Sequence, residues 1–349
     1  MKAKYGIIAG VTLCCVFGLF SAVRQVQAEP KKHEISIAIY QSPTHEISVW
    51  NKELQKYLGE MSGNRLVPKI YDSAKIAKGT DMLDAVQRGL ADMGFAYGGF
   101  IASTFPVLEA VGSVPFLFRS DYEWWKAWPR VTAVLQEALE KGGYSNILLI
   151  DMPYYGGWYK IATKGKKLKV PADLEGLKLK AVGTGLRDYV KMIGGNAVGI
   201  TTAEVYEAAS RGLLQGTIGV HTHWTGWKQM EVFDHLLDLP ICPTTMHWVV
   251  NKSTLKKLGP ELAPVLINFC RFNIVMQGMN SIVSEDRNEM IASEKMEFYR
   301  PTAEEAKLWY APGEKIIEEW VERSKPYGAK IVDIVKAARA SESKGFLDW

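Results

Sequence analysis

Glu34-Ile-Ser-Ile-Ala-Ile-Tyr40 puts Ile35, Ile37 and Ile39 on one side of an extended chain and Ser36 and Ala38 on the other, the period-two pattern of a strand. Ile47, Trp50, Leu54 and Tyr57 then recur at helical spacing, Gly63-Asn64 stops that helix, and Leu66 to Tyr71 is strand-like again. Strand, helix and strand in this order make a β-α-β unit, whose two strands lie parallel. The pattern repeats in Thr80 to Leu90, with Met82, Ala85, Val86 and Leu90 on one face, and the apolar strand Met93 to Tyr97. Such alternation predicts an α/β fold with a parallel-rich sheet covered on both faces.

Toward the C-terminus a second round begins near Ile147-Leu-Leu-Ile150, after a Trp-rich helix around Trp124, Trp125 and Trp128 that predicts a packing cluster. Trp158 to Thr163, Leu177 to Val182 and Leu214 to Val220 are expected strands. Leu186 to Ile193 and Ala203 to Gly212 are expected helices. His247 to Asn251 adds a late strand, and Pro260 to about Met296 an unusually long helix. The 349 residues are about twice one domain's usual length. With no Gly/Ser linker between the halves, the chain is expected to cross between two lobes more than once.

Toward the N-terminus, Lys2 and Lys4 precede an uncharged stretch from Gly6 to Ala22, and Val26-Gln27-Ala28 carries the small residues that a signal peptidase reads. Residues 1–28 are expected to be a cleavable signal peptide, the competing reading being an uncleaved anchor. The mature chain is then expected in the periplasm. Losing Lys2, Lys4 and Arg24 takes the formal charge from +4 to +1. That balance excludes a nucleic-acid partner. Cys242 and Cys270 are the cysteines left, open to one disulfide or to two buried thiols. The 11 Trp and 15 Tyr suit a ring-lined cleft or a ring-filled core.

Catalytic signatures are absent: there is no Gly-x-Ser-x-Gly elbow, Walker lysine loop or His-Glu-x-x-His. Gly183-Thr-Gly185 follows an expected strand and opens a helix, but Asp188 stands where a dinucleotide fingerprint needs its third glycine. What remains is a helix N-terminus, with Thr184 as cap, able to hold an acid group or simply to be capped. His221 and His223 would point the same way on a strand and could share a metal with His45, or form a pocket wall. The run Lys164, Lys166, Lys167 and Lys169 is expected to be a solvated turn, the alternative being a docking surface.

Pro171-Ala-Asp-Leu-Glu-Gly-Leu-Lys-Leu-Lys180, Met192-Ile-Gly-Gly195 and Glu204-Val-Tyr-Glu-Ala-Ala-Ser-Arg-Gly212 resemble the signature region of TRAP transporter solute-binding proteins of the DctP family. Leu83-Asp-Ala-Val-Gln-Arg-Gly89 with Asp92, and the Pro115-Phe-Leu-Phe118 turn, match upstream. The resemblance implies a two-lobed periplasmic binding protein fold with interleaved lobes and a long bracing helix. Residues 29–156 plus about 245–285 would form lobe I, and 157–244 plus about 286–349 lobe II with the C-terminal helices. It also implies a receptor, not an enzyme, that needs no cofactor, closes on a small organic anion as a monomer, and delivers it to the small and large membrane subunits of a TRAP permease. An exported enzyme or a ligand sensor on the same fold are the alternatives.

Departures from the family bear on the ligand. Lys180 stands where the family carries an arginine that pairs with the ligand carboxylate, so the charge stays and the planar fork is lost. A second basic position falls at Lys160, and Leu214-Gln-Gly-Thr-Ile218 replaces a Val-Asp-Gly-Gln-Glu type run. The resemblance places Tyr40 and Tyr97 at the cleft, with Phe100 nearby and Trp158 on the opposing lobe. The expected ligand-binding set is Tyr40, His45, Tyr97, Trp158, Lys160, Lys180, Thr184 and His221, which suits an aromatic or apolar organic anion; His221, Arg187 or the Gly183 helix end are alternative anion holders.

Overall fold

The computed structural model describes residues 31–43, 46–150, 154–245 and 247–342; residues 1–28 and His45 lie outside them. Strand β1 (His33–Ala38), helix α1 (Glu46–Met61) and β2 (Leu66–Tyr71) form the expected β-α-β unit, followed by α2 (Met82–Gln87) and β3 (Met93–Ala96). Next come α3 (Asp121–Lys141), β4 (Ile147–Ile150), β5 (Tyr154–Trp158), β6 (Lys160–Thr163), β7 (Lys178–Lys180), α4 (Thr184–Met192), β8 (Asn196–Val198) and α5 (Val205–Ser210). The chain continues through β9 (Gly216–Gly219), α6 (His221–Gly226), β10 (His235–Leu237), β11 (Pro243–Thr245), β12 (His247–Asn251), α7 (Lys252–Ser293), β13 (Glu297–Tyr299), α8 (Ala303–Arg323) and α9 (Gly328–Glu342).

These strands build two lobes. The first sheet has the order β2-β1-β3-β12-β4, and the second β13-β10-β6-β9-β7-β8. β1 runs parallel to β2 and β3, while β12 is antiparallel to β3 and β4. β4 therefore closes the first sheet, where its sequence suggested the start of the second round. A short apolar run carries no record of its partner, and β4 finds one about 100 residues further on.

Period-two alternation sorts the first sheet's side chains. Ile35, Ile37, Ile39, Phe95 and Trp248 face α1 and α7, whereas Ala38, Ala96 and Val249 face the core that also holds Phe118 and Trp124. In the second lobe, Ile161, Leu179 and Ile218 pack with Tyr189, Trp309 and Ile316, and Ala162 and Leu236 pack on the other face with Trp224 and Phe233. Cys242 and Cys270 are buried in different cores, which excludes a disulfide between them. Of the expected Trp cluster, Trp124 is fully buried and Trp128 packs against the core, but Trp125 is largely exposed.

The lobes are interleaved. A two-stranded ribbon, β5 with β11, lies between the sheets. Its Trp158 belongs to the first core, not to the opposing lobe as expected, because the strand breaks at Tyr159 and Trp158 stays on the ribbon. α7 passes from the first lobe, where Leu258, Leu262, Leu266, Phe269 and Ile274 are buried, to the second, where Ala292 packs. Its long arm starts at Pro260, as the sequence suggested, because Gly259 breaks the helix at φ 71°. Phe116 leaves the first lobe at φ 59° and is wholly buried in the second core, edge-on to Tyr189 (5.6 Å) and Tyr310 (5.0 Å).

Candidate functional site: the cleft between two sheet edges

Parallel strands deliver their C-terminal ends to a common edge, where open α/β sheets bind ligands. In the first sheet that edge holds Tyr40 after β1, Tyr97 after β3 and the start of β12 at His247. In the second it holds Lys180 at the end of β7, His221 after β9, Thr184 opening α4, and Tyr159 and Lys160 where antiparallel β6 begins. The two edges touch: the Tyr97 and Tyr159 hydroxyls are 3.5 Å apart. Tyr97 also donates to the Gly112 carbonyl (3.0 Å) and lies 3.2 Å from Ser113 Oγ. Burial pushes its phenol up to about 12 and that of Tyr159 well above its ordinary value. Phe100 meets both Tyr40 (5.5 Å) and Tyr97 (5.1 Å) edge-to-face, so the first lobe offers a wall of rings. Tyr159 was missing from the expected set, although it stands between Trp158 and Lys160, which both belonged to it.

Lys180 is only 2% exposed. Among the described residues no carboxylate pairs with it; its polar contact is 3.4 Å to the Ile218 carbonyl, and Thr217 is its register partner on β9. Burial alone pulls its ammonium down from 10.5 to about 8. A buried cation without a counter-charge is expensive, and an anion in the cleft removes that cost.

Lys160 differs. Its Nζ lies 2.8 Å from Asp238 and is paired with Glu289 as well; burial opposes its charge, but the two carboxylates outweigh burial and hold it above its ordinary value. Arg300 shares Asp238 at 2.6 Å. The positive charge expected of Lys160 is therefore neutralised by the protein's own acids. Beside it Glu285 is raised to about 7, mainly by burial, with Glu289 and Asp121 adding repulsion. Trp158 likewise donates its indole N–H to Asp121 at 2.8 Å.

The helix N-terminus is also taken. Glu109, fully buried on the first lobe, accepts the N–H groups of Thr184 (2.7 Å) and Gly185 (3.2 Å) and pairs with Arg323 (3.1 Å). Thr184 thus holds an acid group as expected of a helix end, but the acid belongs to the chain. Burial raises the Glu109 carboxyl, against the pull of Arg323 and the two N–H groups. A Cβ on Gly185 would stand 2.3 Å from the Ser113 carbonyl, so glycine there lets the lobes meet.

His221 opens helix α6 and does not lie on a strand, so it and His223 point apart, about 200° around the axis. The alternative of a metal shared between them has no geometry here, and among the described residues no group of three His, Cys, Asp or Glu could hold an ion. His221 is buried, with Nε2 3.3 Å from Ser284 Oγ of α7. His247, unforeseen from sequence, is wholly buried with both ring nitrogens unpaired, and burial draws it down to about 4. A separate groove between α8 and α9, lined by Leu117, Ile317, Val321 and Val332, contains none of these edge residues.

Two lobes of interleaved α/β structure that meet at strand edges are the architecture of a two-lobed binding protein. The family model for bacterial extracellular solute-binding proteins, family 7 (DctP), matches residues 37–324, and the chain belongs to that family of TRAP solute receptors. It is 26% identical over 248 residues to the 2,3-diketo-L-gulonate-binding periplasmic protein YiaO of Escherichia coli K12, covering 69% of this chain and 72% of that one. It is also 26% identical over 193 residues to a monocarboxylate 2-oxoacid-binding periplasmic protein of Nostoc, about half of each. Among solved structures, a Bordetella pertussis extracytoplasmic solute receptor binding pyroglutamic acid superposes with TM-score 0.77 at 18% identity, over 87% of this chain and 99% of that one. A TRAP periplasmic solute-binding protein of Anaerococcus prevotii with bound glucuronate gives 0.77 at 21%, over 89% and 99%.

Proposed function

We propose that this chain is an uptake receptor that closes on a small organic acid and presents it to TRAP membrane subunits. The carrying observation is Lys180, a buried cation with no carboxylate partner among the described residues. The ligand's acid group sits on Lys180, and Tyr40, Tyr97 and Phe100 form the apolar wall, which favours a compact, partly aromatic or apolar acid over a polyhydroxylated one. His221 contributes a polar contact from the second lobe. Lys160, Trp158 and Thr184 serve the closed architecture instead, because their polar groups are engaged within the chain. Lobe I comprises 29–156 with about 245–285, and residues 1–28 direct export.

Acids held by relatives supply the first screen. Thermal-shift measurements with pyroglutamate, 2-oxoacids, 2,3-diketogulonate, glucuronate and succinate, alongside aromatic carboxylates and sulfonates, should give a rise of several degrees for an apolar acid at about 100 times its Kd. A response confined to neutral sugars or cations refutes the anion site. A response confined to glucuronate-like acids refutes the ring-wall preference.

A further inference from the structure

The long helix α7 is amphipathic the wrong way round for its place. Asn273, Gln277 and Ser281 are buried against the protein, whereas Phe272, Val275, Met279, Ile282, Val283 and Met290 are 38 to 71% exposed. At 100° per residue these apolar side chains fall within an arc of roughly 120° and run for about 27 Å. No charged residue occurs from Phe272 to Ser284. On α1, exposed Tyr57, edge-on to Phe272 at 6.0 Å, and exposed Met61 widen the patch. The patch exposes roughly 700 Å² of apolar surface, more than a monomer usually leaves open and close to one partner's share of a standard interface.

We propose that a second copy of this chain covers that face, with the two α7 helices packed antiparallel about a two-fold axis. The spacing 272, 275, 279, 282 alternates three and four, the seam of paired helices. With the axis beside residue 277, Phe272 meets Ile282 of the second copy and Val275 meets Met279, so the four residues of the seam pair with one another, as an isologous contact requires. Charge fixes the direction. Exposed Arg271 bounds the uncharged stretch at one end and exposed Asp286 lies in the stripe at the other, with Arg287 about 100° further round. An antiparallel pair sets Arg271 toward Asp286 of the second copy; a parallel pair sets like charge on like. A dimer of this kind departs from the monomer expected from sequence, and it does not depend on the identity of the solute.

Sedimentation velocity on the purified protein should show a dimer at micromolar concentration. Met279→Glu should raise the dissociation constant at least about 30-fold while leaving the melting temperature and the ligand-induced shift of the isolated monomer unchanged. Arg271→Asp should weaken the dimer, and adding Asp286→Arg should restore it. A monomer persisting at about 100 µM, or a dimer indifferent to Met279→Glu, overturns the proposal. A charge exchange that fails to restore association overturns the antiparallel arrangement.

Discussion

Replacing Lys180 by methionine should make the empty protein more stable and the receptor inactive. The ammonium is 2% exposed and is drawn from 10.5 to about 8 by burial alone, so at pH 7 the folded chain bears about 3 kcal/mol for keeping it charged. Methionine fills nearly the same volume and sacrifices only the long contact to Ile218. The sign follows from proton uptake. Between pH 8 and 10.5 the unfolded chain holds a proton on Lys180 that the folded chain has released, so wild-type stability rises with pH through that window. The advantage of Lys180→Met should therefore be up to about 3 kcal/mol at pH 7, roughly 5 °C in melting temperature, and should vanish above pH 10.5. Calorimetry from pH 6 to 11, with and without the acid giving the largest thermal shift, measures both effects. A variant that is less stable when empty at pH 7 and still responds to the acid would show that Lys180 is structural and that the anion binds elsewhere.

Other groups give sharper local tests. Glu285→Gln should gain about 2 kcal/mol over wild type at pH 8 but nothing near pH 4, because a carboxyl raised from 4.5 to about 7 loses stability as pH rises through that range; equal melting curves at both pH values contradict this. Glu109→Ala strands Arg323 and two helix N–H groups, and should lower stability by about 3 kcal/mol in denaturant titrations. Gly185→Ala drives a methyl into the Ser113 carbonyl; small-angle scattering should find the variant more open, even with ligand present, than the wild type. Gly157, at φ 75° and with Glu285 oxygens 2.6 Å from any added Cβ, should tolerate alanine no better, at a cost of about 2 kcal/mol by calorimetry.

Local pattern carried much of the fold. Ile35, Ile37 and Ile39 declare a buried strand face on their own, and Pro260 marks the start of the long arm because proline is suited to a helix's first turn. Of the candidate site, chain order gave positions: Tyr40, Tyr97 and Lys180 follow or end strands that the periodicity located, while the resemblance alone assigned them to a cleft. Chain order failed where distant partners decide. Lys160 resembles a ligand cation until Glu289, 129 residues away, neutralises it, and the Thr184 helix end is free in sequence but occupied by a carboxylate 75 residues upstream. His221 was misplaced because two alternating histidines at the end of a strand fit a continuing strand as well as the first turn of a helix.

Phe116 carries a consequence for folding. Its ring comes from the first lobe but completes the second lobe's core between Tyr189 and Tyr310, on a backbone held at positive φ. Excising the second lobe alone would leave a cavity the size of a benzyl group, a loss of the kind that costs about 3 to 5 kcal/mol. The second lobe is then not an autonomous folding unit, and its unfolding should be coupled to that of the first lobe, which supplies the ring.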